Sequence, residues 1–324
     1  MIEIVLLNWN RIESTVACLK RLTQWTKIQP RIWVVDNASQ DESVTIISHD
    51  FPTVQLIVSE VNLGFAGGNN LAMRQILSHG TDNPILLLNN DAFIDEKNTL
   101  RLLEALQMWP EIAVVGPLFC HKDEIISAGG RDIAWHINTH LLYPNGYKPH
   151  QLNPNMIKSG EPYSVDYVSG TVALLRASAL TKVGLFDESY FFSGEMADLC
   201  ERFKQHGYNC AITPRAVASH DTEQASSFRH TLYAYYILRN RFLFIRKFRP
   251  NQVVPLFIFW IFYGLASIAK AIWHGEWLSV KATFFAINDG LKGDFGNKNF
   301  RFGNLFAHHA RCGFAIRNGY LANL

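Results

Sequence analysis

Three four-residue apolar runs, each ending on polar residues, constrain this chain more than any other feature. Ile4-Val5-Leu6-Leu7 runs into Asn8-Trp9-Asn10, Ile32-Trp33-Val34-Val35 into Asp36-Asn37-Ala38-Ser39, and Ile85-Leu86-Leu87-Leu88 into Asn89-Asn90-Asp91. An uninterrupted apolar run suits a strand buried on both faces, as in a parallel sheet, because neither row of side chains meets water. Polar groups at the carboxyl ends of such strands sit where α/β folds bind ligands. The pattern predicts three strands delivering polar tips to one edge, a nucleotide and metal site, with Asp91 placed to hold a cation.

Short apolar runs alternate with helical patterns as far as about residue 116, the order expected of βαβ units and a mostly parallel sheet with flanking helices. Helices are predicted over 14–25, 42–50, 67–79 and 96–109, with a strand at 54–58 before the third of them. The stretch 129–158 carries Gly, Pro, Asn and His without periodicity and reads as loops or a hairpin bordering the site. Regularity returns with a strand at 172–175, a short helix at 178–183, and a helix at 197–206 closed by Gly207 in the C′ position. Beyond residue 222 the chain reads as long aromatic helices, including 232–248 and the uncharged run 253–269.

Charge divides the chain in the same place. Residues 1–225 hold 17 basic and 25 acidic side chains, whereas 226–324 hold 13 basic and 3 acidic, so the parts carry −8 and +10. The division predicts an acidic domain over 1–225 that carries the strand-tip site and a helical region over 226–324 that contacts something anionic, a membrane surface or a nucleic acid. Five scattered cysteines without CxxC spacing point to reduced thiols in a cytosol-facing protein, and no secretory signal is visible at the N-terminus.

Between the strand at 54–58 and the third helix lies Asn62-Leu63-Gly64-Phe65-Ala66-Gly67-Gly68-Asn69-Asn70. Glycines there let backbone amides approach a ligand, and a helix N-terminus offers N–H groups to an anion. The same turn can also be a tight connection only, since it matches neither the Rossmann nor the P-loop spacing. Asp36 reads either as acceptor of a pyrimidine imino hydrogen or as an Asx-turn residue. The candidate nucleotide contacts are Asn8, Asn10, Asp36, Asn37 and Asn90 at the strand tips, with Gly64, Gly67, Gly68 and Asn69 of the turn.

Taken in order, these segments resemble inverting family 2 glycosyltransferases of the GT-A fold, especially their rhamnosyltransferase-like branch. The likeness runs from the opening Val5-Leu6-Leu7-Asn8-Trp9-Asn10 through Val34–Ser39, the 62–70 turn and 87–92, then on through Val183-Gly184-Leu185-Phe186-Asp187-Glu188, the segment 192–202, and Tyr235-Tyr236-Ile237-Leu238-Arg239-Asn240-Arg241. It implies a nucleotide-sugar donor, dTDP- or UDP-linked, with dTDP-rhamnose suggested, whose base is read by Asp36. It also implies a divalent cation, Mg²⁺ or Mn²⁺, on Asp91 and His220, with Asn89 replacing the other acid of a DXD-like motif. Where the family carries Glu-Asp before Asp-Leu-Cys, this chain reads Glu195-Met196-Ala197-Asp198-Leu199-Cys200. The general base then falls to Glu195 or Asp198, whose other reading is helix capping. Met196 stands where a second carboxylate would face the acceptor.

The resemblance implies transfer to a glycan or lipid-linked acceptor in cell-surface polysaccharide synthesis, by a cytoplasmic protein peripheral to or anchored in the inner face of the cell membrane. A catalytically silent nucleotide-binding homologue acting as a membrane assembly partner is the rival that Met196 raises. The seventeen residues of 253–269, flanked by Arg246, Lys247, Arg249 and Lys270, fit a short span, a helix lying in the interface, a buried helix or a homodimer face. Nucleic-acid binding fits the charge but not the aromatic, apolar character of these helices.

Overall fold

The computed structural model describes residues 1–121, 124–139, 159–220 and 228–302. The second part of the expected 129–158 loop, the domain boundary near 225 and the tail from 303 lie outside them. The three apolar runs form neighbouring strands: β1 (Ile2–Asn8) lies between β2 (Pro30–Asn37) and β4 (Ile85–Asn89), parallel to both, and β3 (Gln55–Ser59) extends the sheet beyond β2. Register aligns their tips, with Asn8 opposite Asp36 and Leu7 opposite Asn89.

Strand side chains alternate between faces, and each face is covered. Ile4, Leu6, Leu86 and Leu88 pack against α1 (Ile12–Leu22), α2 (Ser43–Asp50) and α4 (Glu96–Met108). Val5, Val35 and Leu87 face α3 (Gly64–Ser78), together with α5 (Ala177–Val183) and α6 (Glu195–Gln205). Asp95 caps α4 by accepting from the Asn98 amide at 2.7 Å.

The remaining strands are β5 (Ala92–Phe93), β6 (Ile112–His121), β7 (Glu124–Ser127), β8 (Tyr163–Ser164), β9 (Val172–Leu175) and β10 (Asn209–His220). The ten strands among the described residues make one sheet, ordered β3-β2-β1-β4-β9-β6-β10-β5, with β7 on β6 and β8 on β10. Its second half is mixed, because β9 runs antiparallel to both β4 and β6. The apolar pattern could not report that direction: a strand buried on both faces reads the same whichever way its neighbour runs.

A third apolar cluster belongs to the C-terminal helices α7 (Phe228–Phe248), α8 (Val253–Trp273) and α9 (Trp277–Lys292). Glycines let them approach closely: a Cβ at Gly290 would lie 2.5 Å from Phe242 Cδ2, and one at Gly264 only 2.6 Å from Ile287 Cδ1. Phe191 and Ala197 of the sheet domain join this cluster, as do Ile133 and Ala134. The start of the stretch expected to border the site is thus floored by the helices.

Candidate active site

At the carboxyl edge of the parallel strands a buried hydrogen-bond chain ties four elements together. Asn90 Nδ2 donates to Thr15 Oγ1 (2.9 Å), Thr15 Oγ1 to Asn8 Oδ1 (2.7 Å), and Asn8 Nδ2 to Asp36 Oδ2 (2.9 Å) and Ser39 Oγ (3.1 Å). The Ser39 amide closes an Asx-turn onto Asp36 Oδ1 at 2.9 Å. Asp36 is only 1% exposed, and both of its oxygens serve the turn. The Asn10 amide donates to Ser39 Oγ at 2.9 Å. Asn10 and Ala38 hold positive φ of 51° and 66°, and backbone strain of this kind persists only where surrounding contacts over-determine it. Thr15 and Ser39 escaped the sequence reading because a lone hydroxyl in a helix or turn carries no pattern.

The Gly-rich turn is built differently from its sequence expectation. Its helix begins at Gly64, not at residue 67, and its first amides are already engaged: Phe65 N–H donates to the Phe191 carbonyl at 2.8 Å and Ala66 N–H to the same oxygen at 3.4 Å. The N-terminus expected to receive an anion is closed by protein. Gly64 has φ +71°, and a Cβ there would lie 2.2 Å from that carbonyl. Gly68 lets α3 approach β1, since its Cβ would meet Leu7 Cδ1 at 2.5 Å, and Gly67 packs in the same way on Leu63. Asn37 staples the turn, accepting from the Leu63 amide (2.9 Å) and donating to the Gly64 carbonyl (3.0 Å). Asn69 donates to the Phe65 carbonyl at 2.9 Å.

Asp91 and His220 meet across 129 residues, with His220 Nε2 3.0 Å from Asp91 Oδ1. The antiparallel pairing of β5 with β10 sets Ala92 opposite His220 and brings them together. Asp91 is 32% exposed on its side chain and His220 12%. No group of three or more His, Cys, Asp or Glu side chains gathers as a metal cluster among the described residues. One carboxylate and one imidazole at a part-exposed edge would fit a divalent cation that draws its remaining ligands from elsewhere rather than from an all-protein cage.

The second group of candidate residues lies at the start of α6. Gly194, at φ +99°, is the N-cap, so this helix opens at Glu195 rather than at residue 197. Glu195 is 7% exposed, and its Oε2 has no hydrogen-bond partner. Burial pushes its carboxyl up to about 7, against the pull of its own backbone amide and with help from the Asp198 charge. Asp198 differs: Arg202 Nε donates to its Oδ1 at 2.7 Å and Lys247 Nζ engages its Oδ2. Met196 is buried in the core, where a Cβ at Gly170 would lie 3.0 Å from Met196 Cγ and 2.9 Å from Phe65 Cζ. The adjacent Thr171 carbonyl accepts from the Asn89 amide at 2.9 Å. The 169–171 turn thereby connects the Asp91 strand tip to the Glu195 helix start.

Helix α7 holds this helix start in place. Asn240 Nδ2 donates to the carbonyls of Tyr190 (3.0 Å), Phe192 (2.9 Å) and Ser193 (2.5 Å), and Arg239 donates to Tyr190 at 3.1 Å. The clamped segment includes Phe191 and Ser193 at φ 60° and 67°. The sequence resemblance covered Arg239 and Asn240 without assigning them a task.

The sequence profile described as glycosyl transferase family 2 matches residues 3–184. An N-acetylglucosaminyl-diphospho-decaprenol L-rhamnosyltransferase of Mycobacterium tuberculosis is 26% identical over 220 residues, covering 62% of this chain and 70% of its own. The low-salt glycan biosynthesis hexosyltransferase Agl10 of Haloferax volcanii is 26% identical over 245 residues, covering 74% and 73%. Among solved structures, the Pyrobaculum calidifontis mannosyltransferase PcManGT, in complex with GDP-Man and Mn²⁺, superposes with a TM-score of 0.54 at 13% identity, covering 95% of this chain and 79% of its own. GalNAc-T7 with UDP, GalNAc and Mn²⁺ superposes at 0.55 and 14%, covering 73% of this chain and 47% of its own. The architecture is that of GT-A glycosyltransferases, and with more than half its length matched by the family profile, the chain belongs to glycosyl transferase family 2.

Proposed function

We propose that this enzyme transfers a hexose-class sugar, with inversion, from a nucleoside diphosphate donor to a hydroxyl of a glycan or lipid-linked acceptor. The observation that carries the reading is Glu195: a buried carboxylate with one unpartnered oxygen and a carboxyl pushed up to about 7, at a helix start that packs on the 169–171 turn to which the β4 tip is bonded. A general base works best with a pKa near the operating pH. Asp198, held by two cations, is the weaker candidate and serves to keep Arg202 and Lys247 in place. The names of the relatives, rhamnosyl and hexosyl transfer, support the sugar class.

In this mechanism the donor lies across the strand tips, its diphosphate toward Asp91 and His220. A divalent cation held by those two side chains would supply positive charge to the leaving diphosphate. Glu195 takes the acceptor proton as the oxygen attacks the anomeric carbon from the face opposite the leaving group, which inverts the configuration. Asp36 shapes the base-binding turn from within through Ser39, and its remaining lone pairs are those a base imino group would meet.

The test is thermal stabilisation of the purified full chain by dTDP-, UDP- and GDP-sugars with and without Mn²⁺, followed by donor turnover with acceptor-bearing membranes, since a ligand that binds only the folded state raises the melting temperature. Metal-dependent stabilisation by one donor class, with turnover, is the expected result. Nucleotide binding with no hydrolysis or transfer would favour the silent-homologue reading, and stabilisation by none would overturn the donor assignment.

A further inference from the structure

The outer face of the α8–α9 hairpin is apolar along its whole length and faces away from the protein. On α8, Val254, Ile258, Phe262, Leu265 and Ile272 recur at helical spacing and are all exposed. Trp273 (87% exposed) and Trp277 carry the stripe around the turn, and Phe284 and Leu291 continue it along α9. Large contiguous apolar patches are rare on soluble proteins and mark interaction sites.

Two observations select the partner. The flanking charge has one sign: Lys270, Lys281 and Lys292 are exposed beside the stripe, whereas of the two acids between 253 and 292, Asp289 is fully buried and only Glu276 meets solvent. A rim of lysines around aromatic residues suits an anionic lipid surface, where stems bury along the apolar region and ammonium groups reach headgroups. The opposite face of α8 packs on the protein at four buried positions. Leu256, Trp260, Gly264 and Ala271 are buried, Trp260 Nε1 donates to the Ala134 carbonyl at 2.9 Å, and the Arg241 guanidinium lies 4.1 Å from the Trp260 ring centroid. At about 1.5 Å per residue α8 is long enough to cross a bilayer, which is why its composition left that reading open. Crossing would tear these contacts from the catalytic domain.

We infer that α8 and α9 lie in the plane of an anionic membrane, inserting their shared aromatic stripe at the headgroup boundary without spanning it. The surface is one helix layer from the chemistry, because α7 touches α8 on one side and clamps the 190–193 segment with Asn240 on the other. With helices packed 8–10 Å apart, Glu195 stands on the order of 20 Å from the lipid surface, within reach of a lipid-linked acceptor. That consequence for the acceptor rests on the proposed transferase reading; the docking itself does not.

The experiment is co-sedimentation of the full chain with phosphatidylglycerol–phosphatidylcholine vesicles and with pure phosphatidylcholine vesicles, at low and high salt. Binding should require the anionic lipid, weaken with salt and blue-shift tryptophan emission. Phe262→Ser with Trp273→Ser should lower partitioning about tenfold or more, and Lys270→Glu with Lys281→Glu should do so by a comparable factor on anionic vesicles only. Both variants alter exposed residues, and unchanged melting curves and nucleotide affinity would separate lost docking from lost fold or donor site. Retention in vesicles through alkaline carbonate washing would overturn the in-plane mode. Equal binding by all variants, absent binding, or a dimer that dissociates on Phe262→Ser without vesicle binding would overturn the docking surface. Docking without any transfer activity would leave this inference standing and remove the proposed reaction.

Discussion

The strand-tip edge and the start of α6 are both rich in polar groups, yet they are built on opposite principles. At the strand tips every residue of the Asn90–Thr15–Asn8–Asp36–Ser39 chain answers another, and the network is buried at its centre, where Thr15, Asn8 and Asp36 meet. At α6 the buried Glu195 keeps an oxygen without a partner, follows three residues of positive φ, and is held there by Asn240 from a separate layer. A satisfied buried network rigidifies a scaffold, whereas an unsatisfied buried carboxylate costs stability. Structures keep such strained, destabilised groups at functional sites. In the proposed mechanism the contrast separates frame from reagent.

Glu195→Gln should break the contrast most sharply. Turnover should fall by about 10²–10⁴-fold, the usual worth of a general base, and wild-type kcat/KM should rise with pH through about 7, where Glu195 loses its proton. Stability should move the other way. The folded carboxyl titrates above its ordinary value of 4.5, so wild-type stability is full below that value, declines as pH rises to about 7 and is flat beyond. At roughly 1.4 kcal/mol per pKa unit the amide variant should gain up to about 3 kcal/mol at pH 8, and nothing at pH 4. Melting curves at the two pH values check the sign; a variant less stable than wild type at pH 8 would remove the buried-base account.

Asp91→Asn sharpens the frame side, because it leaves β4 and its network intact while removing the carboxylate of the proposed cation site. Metal-dependent turnover should fall about 10²-fold or more, reflecting the several kcal/mol a cation lends the leaving group, with the melting temperature nearly unchanged. Equal activity at limiting Mn²⁺ would sink the assignment.

Asn240→Ala should reduce turnover less, about tenfold, through the freed 190–193 segment, and cost roughly 1–3 kcal/mol for carbonyls left without a donor. A merely structural residue would leave the pH profile alone. Here the midpoint of kcat/KM should drop below about 7 as Glu195 becomes hydrated, and an unshifted midpoint would reject the positioning role. The smallest catalytic effect belongs to Asn8→Ala, which strips partners from Asp36 and Thr15. Stability should fall by about 1–3 kcal/mol while kcat at saturating donor stays within about threefold, as expected of frame rather than reagent.

Met196 illustrates how far a pattern reaches. The sequence comparison placed it where a carboxylate would face the acceptor, and the fold buries its side chain in the core beside Gly170 and Phe65. Which way the first turn of α6 rolls depends on Gly194 and on Asn240, forty-six residues further along, and no local rule contains that contact. The helix starts at 64 and 195 were misplaced by a few residues for the same reason: Phe191 supplies the carbonyl that extends α3, and Asn240 sets the cap of α6.

The sequence by itself determined the buried strands, their covered faces and the row of polar tips, because burial on both sides of a sheet is written into consecutive apolar residues. It also determined that the last third would be helical, aromatic and basic. Only the tertiary structure decided that Asp91 meets His220 through a two-residue strand, that Asp198 is held by Arg202 and Lys247 while Glu195 keeps an unpartnered oxygen, and that α8 buries one side at Leu256, Trp260, Gly264 and Ala271. Periodicity reports the environment of a single element; partners distant in the chain are chosen by how elements pack, and the chemistry of this site depends on those partners.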